Sequence, residues 1–316
     1  MDSKEQIKQL WKTCFDDSDE FIRFFFDQIY NEKNVVSIKE SGKVVSVMQI
    51  LPYEMTWCNT IIPVSYVYAA CTAPEMRNRG LMGKLIEKAH KQMLERGDCM
   101  SILIPANSSL FEYYRKQGYT EVFDHTQSSI SIKDIDLKNE HETDKVNILK
   151  KDDDGKWFHF FDKKLRQRSI CVLHSQTDFN RLLEEYPLSG GQVVCIADDN
   201  EDPSGIAFIA NHSNRVVVKE LIATNTNAES ALLRSAALLN NTEHLYYTKP
   251  SSQRSNTKRY GMGIILNREY MIKQWLKNQT SSTVKYDELM VMDSGDLTNK
   301  LMNYPEREAY FSLMLD

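Results

Sequence analysis

Apolar and polar positions along this chain of 316 residues switch between two periods, and the switches mark its elements. Spacing by three and four predicts helices over residues 5–15 and 18–30, the second opened by Ser18 ahead of Asp19 and Glu20, a hydroxyl cap followed by acidic residues. Runs rich in β-branched and aromatic residues predict strands over 35–39, 43–51 and 61–72, the first two joined by Glu40-Ser41-Gly42. An amphipathic helix comes next, from about 78 to 95, and stops near Gly97. Residues 100–104 read as a buried strand, 107–116 as a short helix and 119–132 as a further strand.

The pattern lapses over 138–155, where acidic and basic residues intermix and Lys150-Lys151 adjoins Asp152-Asp153-Asp154, so this stretch reads as a solvated connection with room for a short strand or turn at 143–149. Beyond it, helices are expected at 157–166 and 177–186, strands at 192–197, 205–210 and 215–223, a helix at 228–239 and a strand at 245–248, before a polar stretch at 251–258. Two helices, three strands, a helix and a strand thus occur twice in the same order, which reads as a structural duplication with diverged sequence. The expected division is a first domain at 1–134, a linker at 135–154, a second domain at 155–280 and a C-terminal segment at 281–316 that docks on both.

Composition narrows the class. The length favours two domains over a single core, and 41% hydrophobic with 26% charged residues excludes a disordered, collagen-like or coiled-coil chain. The longest mainly apolar stretch, 61–73, is interrupted by Pro63, Ser65 and Thr72 and falls short of the roughly 20 residues a membrane span needs. The opening Met1-Asp2-Ser3-Lys4-Glu5-Gln6 lacks an apolar leader core, so a cytoplasmic location and no membrane partner are expected. Six cysteines without a C-x-x-C pair sit mostly inside apolar runs and read as buried thiols rather than as a metal site or disulfide framework. A net charge of -5 speaks against a nucleic-acid partner, whereas a small anionic ligand needs only a local positive cluster.

Such a cluster stands where the strand ending Tyr68-Ala69-Ala70-Cys71-Thr72 runs into Arg77-Asn78-Arg79-Gly80-Leu81-Met82-Gly83-Lys84 and opens a helix. Unpaired N–H groups and about half a positive charge at a helix start hold a phosphate without a metal, and Arg77, Arg79 and Lys84 add to that field. Neither Gly-Lys-Ser/Thr nor G-x-G-x-x-G is present, so the two commonest nucleotide loops are excluded; a plain tight turn with a solvated first helical turn is the alternative. Positive residues there oppose the helix dipole, which favours an anion as partner. About 25 residues on comes Asn107-Ser108-Ser109-Leu110-Phe111-Glu112-Tyr113-Tyr114, then Gly118-Tyr119.

The succession of strand, R-x-x-G turn, helix, strand, N-x-x-x-x-x-Y-Y helix and G-Y strand resembles the GCN5-related N-acetyltransferase (GNAT) superfamily over roughly 30–132. The resemblance implies an α/β (α+β) fold of two tandem GNAT-like domains, each a mixed, mostly antiparallel sheet flanked by helices. It further implies that acetyl-CoA is the co-substrate, with no metal. The family signature falls on Arg77, Gly80 and Met82, the last a departure from the usual Gly or Ala. Backbone amides of Asn78, Arg79, Gly80, Leu81, Met82 and Gly83 would then take the pyrophosphate, Ala70, Cys71 and Thr72 the pantetheine arm and thioester carbonyl, Asn107 would approach the cofactor, and Tyr114 would stand near its sulfur as the acid. Tyr113 is assigned to packing. The second half's counterpart, Thr224-Asn225-Thr226-Asn227-Ala228, has neither Gly nor Arg, which resembles the degenerate second domain of Eis-like tandem acetyltransferases.

That branch also implies a C-terminal carboxylate in the site, here Asp316 at the end of the apolar Ala309-Tyr310-Phe311-Ser312-Leu313-Met314-Leu315. The expected activity is acetyl transfer to a primary amine by direct attack in a ternary complex, Cys71 having no sequence-adjacent His to make it a nucleophile. A non-catalytic acyl-CoA-binding module and an aminoacyl-tRNA-dependent transferase are the competing readings. The general base stays open among Tyr66, Tyr68, Glu54, Asp124 and His125, and the acidic run 16–20 reads either as a cation contact or as helix capping. The identity of the amine and the oligomeric state are not legible.

Overall fold

The computed structural model describes residues 2–135, 143, 145–212, 215–250, 257–279 and 284–315. Helix α1 (Ser3–Cys14) starts where the Asp2 carboxylate accepts the Glu5 N–H at 2.8 Å, and it buries Ile7, Leu10 and Trp11 at helical spacing. Ser18 caps α2 (Asp19–Phe24), which runs on as a wider turn through Phe25–Ile29. Strands β1 (Val35–Glu40), β2 (Lys43–Trp57) and β3 (Thr60–Thr72) form an antiparallel meander. Strand β2 runs well past Leu51 because Pro52, Tyr53 and Glu54 break its alternation without breaking its pairing to β3. Helix α3 (Leu81–Arg96) crosses over to β4 (Met100–Leu103), parallel to β3, and α4 (Ser108–Arg115) leads to β5 (Thr120–Ser131).

The second half repeats this order with two additions, β6 (Val146–Ile148) and β7 (Cys171–Leu173), among α5 (Lys156–Leu165), α6 (Gln176–Leu188), β8 (Gln192–Ala197), β9 (Pro203–His212), β10 (Arg215–Ala223), α7 (Thr226–Leu239) and β11 (His244–Pro250). Its crossover pair, β10 and β11, is again parallel. The two sheets are continuous, because β11 pairs antiparallel with β5 along Ser131 to His125.

A further strand, β12 (Lys258–Ile265), lies between β4 and β5, so the second half supplies the strand that completes the first sheet. Only its first residue, Lys258, falls in the stretch that reads as polar, and its glycines serve packing: a Cβ on Gly261 would stand 2.6 Å from the Phe311 ring. Helices α8 (Arg268–Lys277), α9 (Tyr286–Met290) and α10 (Ser294–Met302) then return to the first half, where Met271, Ile272, Leu289 and Leu301 share a core with Met55, Trp57 and Ile62. Residues 309–315 lie as a strap across both halves. Tyr310 and Leu313 enter the second core, Phe311, Met314 and Leu315 the first, and Tyr310 exchanges backbone bonds with Ile170 and Val172.

Candidate functional site

Strands β3 and β4 pair only from Val64 with Met100 to Val67 with Leu103. Just past that point β3 carries a bulge in which Ala69 and Ala70 oppose the single Met48, with Ala69 in the left-handed region at φ +48°. The ladder therefore opens at Tyr68, and the strand end 68–72 parts from the chain leaving β4. Around the opening, Val67, Leu103, Phe111 and Tyr114 form one cluster, with Ala70, Met82, Leu110 and Tyr113 packed against it. Residues from the strand end, the start of α3 and α4 are thus brought to one place. Met82, the departure from the expected small residue, is half-buried against this cluster.

Residues 73–79 make a long turn ahead of α3, exposed except at Ala73 and Met76, with Asn78 at φ +62° and Gly80, the cap residue, at φ +72°. Glycine is suited to this cap because a Cβ is strained at that φ. No side chain caps α3, no acid stands in its first turn, and among the described residues no acceptor bonds the N–H of Leu81, Met82 or Gly83. The other described helices of eight or more residues have a carboxylate, hydroxyl or amide oxygen on their first N–H groups, as with Asp152 and Asp154 at α5. An N-terminus left this way, with Arg79 exposed beside it, favours an anionic acceptor.

Arg77 does not reach over the helix start: its Nε donates to the Thr72 carbonyl at 3.1 Å and its Nη2 stands 3.9 Å from the Cys14 sulfur. It pins the turn to the strand end. Cys14, half-buried at the end of α1, shares a hydrogen bond with Cys71; that bond and the Arg77 guanidinium hold the Cys14 thiol well below the usual range, while the same bond and burial push the Cys71 thiol up against the pull of Arg77. The Thr72 hydroxyl bonds Ser46 at 2.8 Å. The Asn107 side-chain oxygen caps α4, accepting the N–H of Ser109 at 3.1 Å and of Leu110 at 3.3 Å. Tyr114 is buried beside the rings of Tyr113 and Tyr119, and burial pushes its phenol up to about 12. Tyr119 forms a separate network with Ser101 at 2.7 Å and His90 at 2.9 Å.

The candidate bases separate. Tyr66 donates to the Leu315 carbonyl at 2.5 Å and stacks on Tyr68, so the strap ends beside this strand face; Asp316 itself lies outside the described residues. Glu54 pairs opposite Pro63 and Leu173, five residues along β2 from Gln49, the partner of Tyr68, and so about 17 Å from the opening. Asp124 accepts the Tyr304 hydroxyl at 2.9 Å. In the acidic run, Asp17 accepts the Trp11 indole N–H at 2.7 Å, Ser18 caps α2 and Asp19 pairs with Lys12, so local contacts account for these residues. Cys14, Tyr260 and the strap residues Phe311 and Met314 have no motif and are placed here only by topology. Among the described residues no group of three or more His, Cys, Asp or Glu is arranged to hold a metal, and no helix is long and apolar enough to cross a membrane.

The family model of the acetyltransferase (GNAT) domain matches residues 2–122. Many solved structures share the fold, among them the following three. A GCN5-related N-acetyltransferase from Anabaena variabilis is 18% identical with a TM-score of 0.69, over 88% of this chain and 74% of that one. Eis1 from Mycobacterium abscessus is 12% identical with a TM-score of 0.62, over 85% and 72%. The N-myristoyltransferase of Saccharomyces cerevisiae with bound myristoyl-CoA is 10% identical with a TM-score of 0.52, over 82% and 78%. No curated protein sequence matches the chain.

Proposed function

We propose, from a chain that carries a GNAT acetyltransferase domain over residues 2–122, that the protein transfers acetyl from acetyl-CoA to a primary amine by direct attack in a ternary complex. The observation that carries this reading is the uncapped N-terminus of α3 opening beside the parted strands β3 and β4. The pyrophosphate takes the N–H groups of Leu81, Met82 and Gly83, with Arg79 as counter-charge and Arg77 holding the turn through the Thr72 carbonyl. The pantetheine arm lies along residues 70–72 and past Asn107. An acyl-CoA in the myristoyltransferase structure supports the cofactor class.

The amine nitrogen attacks the thioester carbonyl; the carbon–sulfur bond breaks, and the amine's proton balances the released thiolate. Tyr114, with its phenol pushed up to about 12, stays protonated at neutral pH and donates a hydrogen bond to the developing thiolate. Outright transfer to a thiolate of ordinary pKa about 8.5 would run uphill, so the proton that neutralises it originates on the amine. We extend the proposal to the Asp316 side-chain carboxylate as the first acceptor of that proton, supported by the bond from Tyr66 to the neighbouring Leu315. Residues 1–134 then act as the catalytic unit, with 135–154 as linker and 155–280 as a scaffold that lends β12, while 281–316 closes the acceptor side.

The test is thiol release on mixing the protein with acetyl-CoA and a panel of primary amines. Release that depends on an amine, with no mass added to the protein by acetyl-CoA alone, is expected. An acetyl adduct on Cys14 or Cys71 would replace direct attack by a covalent route, and absence of release with every amine would favour an acyl-CoA-binding module.

A further inference from the structure

Beneath the strap, where the two halves meet, lies a cavity of about 240 Å³, the liquid volume of about eight waters and enough for one ring with a short arm. Its walls are aromatic: Phe123, Tyr186, Tyr260, Tyr310 and Phe311 all line it. Asp124 is the only carboxylate among its described lining residues, and Lys219 the only lysine or arginine, so the formal charges cancel. The Asp124 Oδ2 is taken by Tyr304, but among the described residues its buried Oδ1 has no partner, nor has the Nδ1 of the adjoining His125. Each such atom costs free energy unless a ligand or water supplies a hydrogen bond. The cavity connects to the parted strands through rings: Phe311 stands 5.6 Å from Tyr66, and Tyr66 stacks at 5.9 Å on Tyr68, the last paired residue before the bulge.

We propose that this cavity is the holding site of the acceptor amine and takes a monoammonium compound on a flat aromatic body, its ring seated among the cavity's aromatic side chains and its ammonium held by Asp124 before the nitrogen passes to the parted strands. Ring faces attract both another ring and a cation, and the free Asp124 oxygen supplies the one charge-assisted acceptor such a ligand needs. A polyamine or aminoglycoside carries several ammonium groups and needs several carboxylates, whereas this cavity offers one carboxylate against one lysine. The inference rests on the acyl-transfer reading for what happens to the amine, but its binding claim is measurable without turnover.

Calorimetric titrations with 2-phenylethylamine, 2-phenylethanol, spermidine and kanamycin test it. The expected result is 2-phenylethylamine binding at least 10-fold tighter than each of the other three, an at least 10-fold loss in Asp124→Asn and in Tyr260→Ala, and unchanged acetyl-CoA affinity in both variants. Asparagine keeps an acceptor for Tyr304, and urea unfolding of both variants guards against misfolding. Tighter binding of spermidine or kanamycin, equal binding of the alcohol, an unaffected Asp124→Asn, or no binding of 2-phenylethylamine overturns the assignment. Binding of 2-phenylethylamine, with no thiol release from acetyl-CoA for it or for any other amine of the panel, would uphold the cavity and retire the enzyme instead.

Discussion

Both halves of the molecule contain the same frame: a strand pairs in parallel with the strand after the next helix, carries a bulge just past the last parallel pair, and leads into that helix. In β3 the last pair is Val67 with Leu103 and the bulge is at Ala69 and Ala70; in β10 the last pair is Val218 with Tyr247 and the bulge is at Lys219. The link from strand to helix differs between them. Residues 73–79 precede the Gly80 cap of α3, whereas Thr224 alone separates β10 from Asn225, the cap of α7. Asn225 accepts the Ala228 N–H at 2.9 Å and Glu229 adds a carboxylate to the first turn, so α7 satisfies its own start. The groove beside it contains Glu220, buried with its carboxyl pushed up to about 7, where the first half has Cys71 and Thr72. The parted pair of strands is common to both halves; the long, uncapped turn is what distinguishes the first, and the proposed anion site rests on that turn.

Apart from a change at the α3 cap itself, the largest expected effect that sharpens this contrast is on chemistry. Tyr114→Phe should lower kcat by about 10- to 100-fold, the range for one positioned donor, with acetyl-CoA affinity unchanged. Because burial raises the Tyr114 phenol to about 12, ionisation of that group should not depress the rate below about pH 11, which a pH profile of wild type against variant would check. Next, Arg79→Ala should weaken acetyl-CoA binding about 5- to 10-fold, with a loss that shrinks as salt rises, while Lys249→Ala, which lines the second groove, should leave it unchanged. On the other side, Asn225→Ala should cost about 1 kcal/mol in urea unfolding and nothing in acetyl-CoA affinity. Last, Cys14 should be alkylated by iodoacetamide at neutral pH faster than the five buried cysteines, and bound acetyl-CoA should slow it. Equal rates for Cys14 and Cys58 would remove Arg77 and Cys71 as activators.

Much of the first half is legible in sequence because its elements are set locally. Ser18 and Asn107 announce helix starts, and the pieces that carry the site, Arg77 to Gly83 and Asn107 to Tyr114, are short segments with fixed spacing. What escapes is what depends on partners far along the chain. The sequence pattern predicts no element over strand β12, because its glycines are shaped to Phe311, Phe123 and Val122 rather than to its own neighbours. The approach of Cys14 to Arg77 joins residues 63 apart, and the cavity beneath the strap gathers side chains from β5, α6, β12 and 309–315. The Arg77 side chain likewise carries a charge legible in sequence, but its use, as a clasp on Thr72, depends on how the turn folds back.

Calorimetric titration of acetyl-CoA into the wild type and into Gly80→Asp tests the central claim most directly, because the substitution brings a negative charge to the start of α3 and forces a side chain at φ +72°, at a point where it meets no neighbour within 4 Å. The account predicts micromolar binding by the wild type and at least a 100-fold loss in a variant whose unfolding curve stays close to that of the parent. Equal affinity in the two proteins would contradict it.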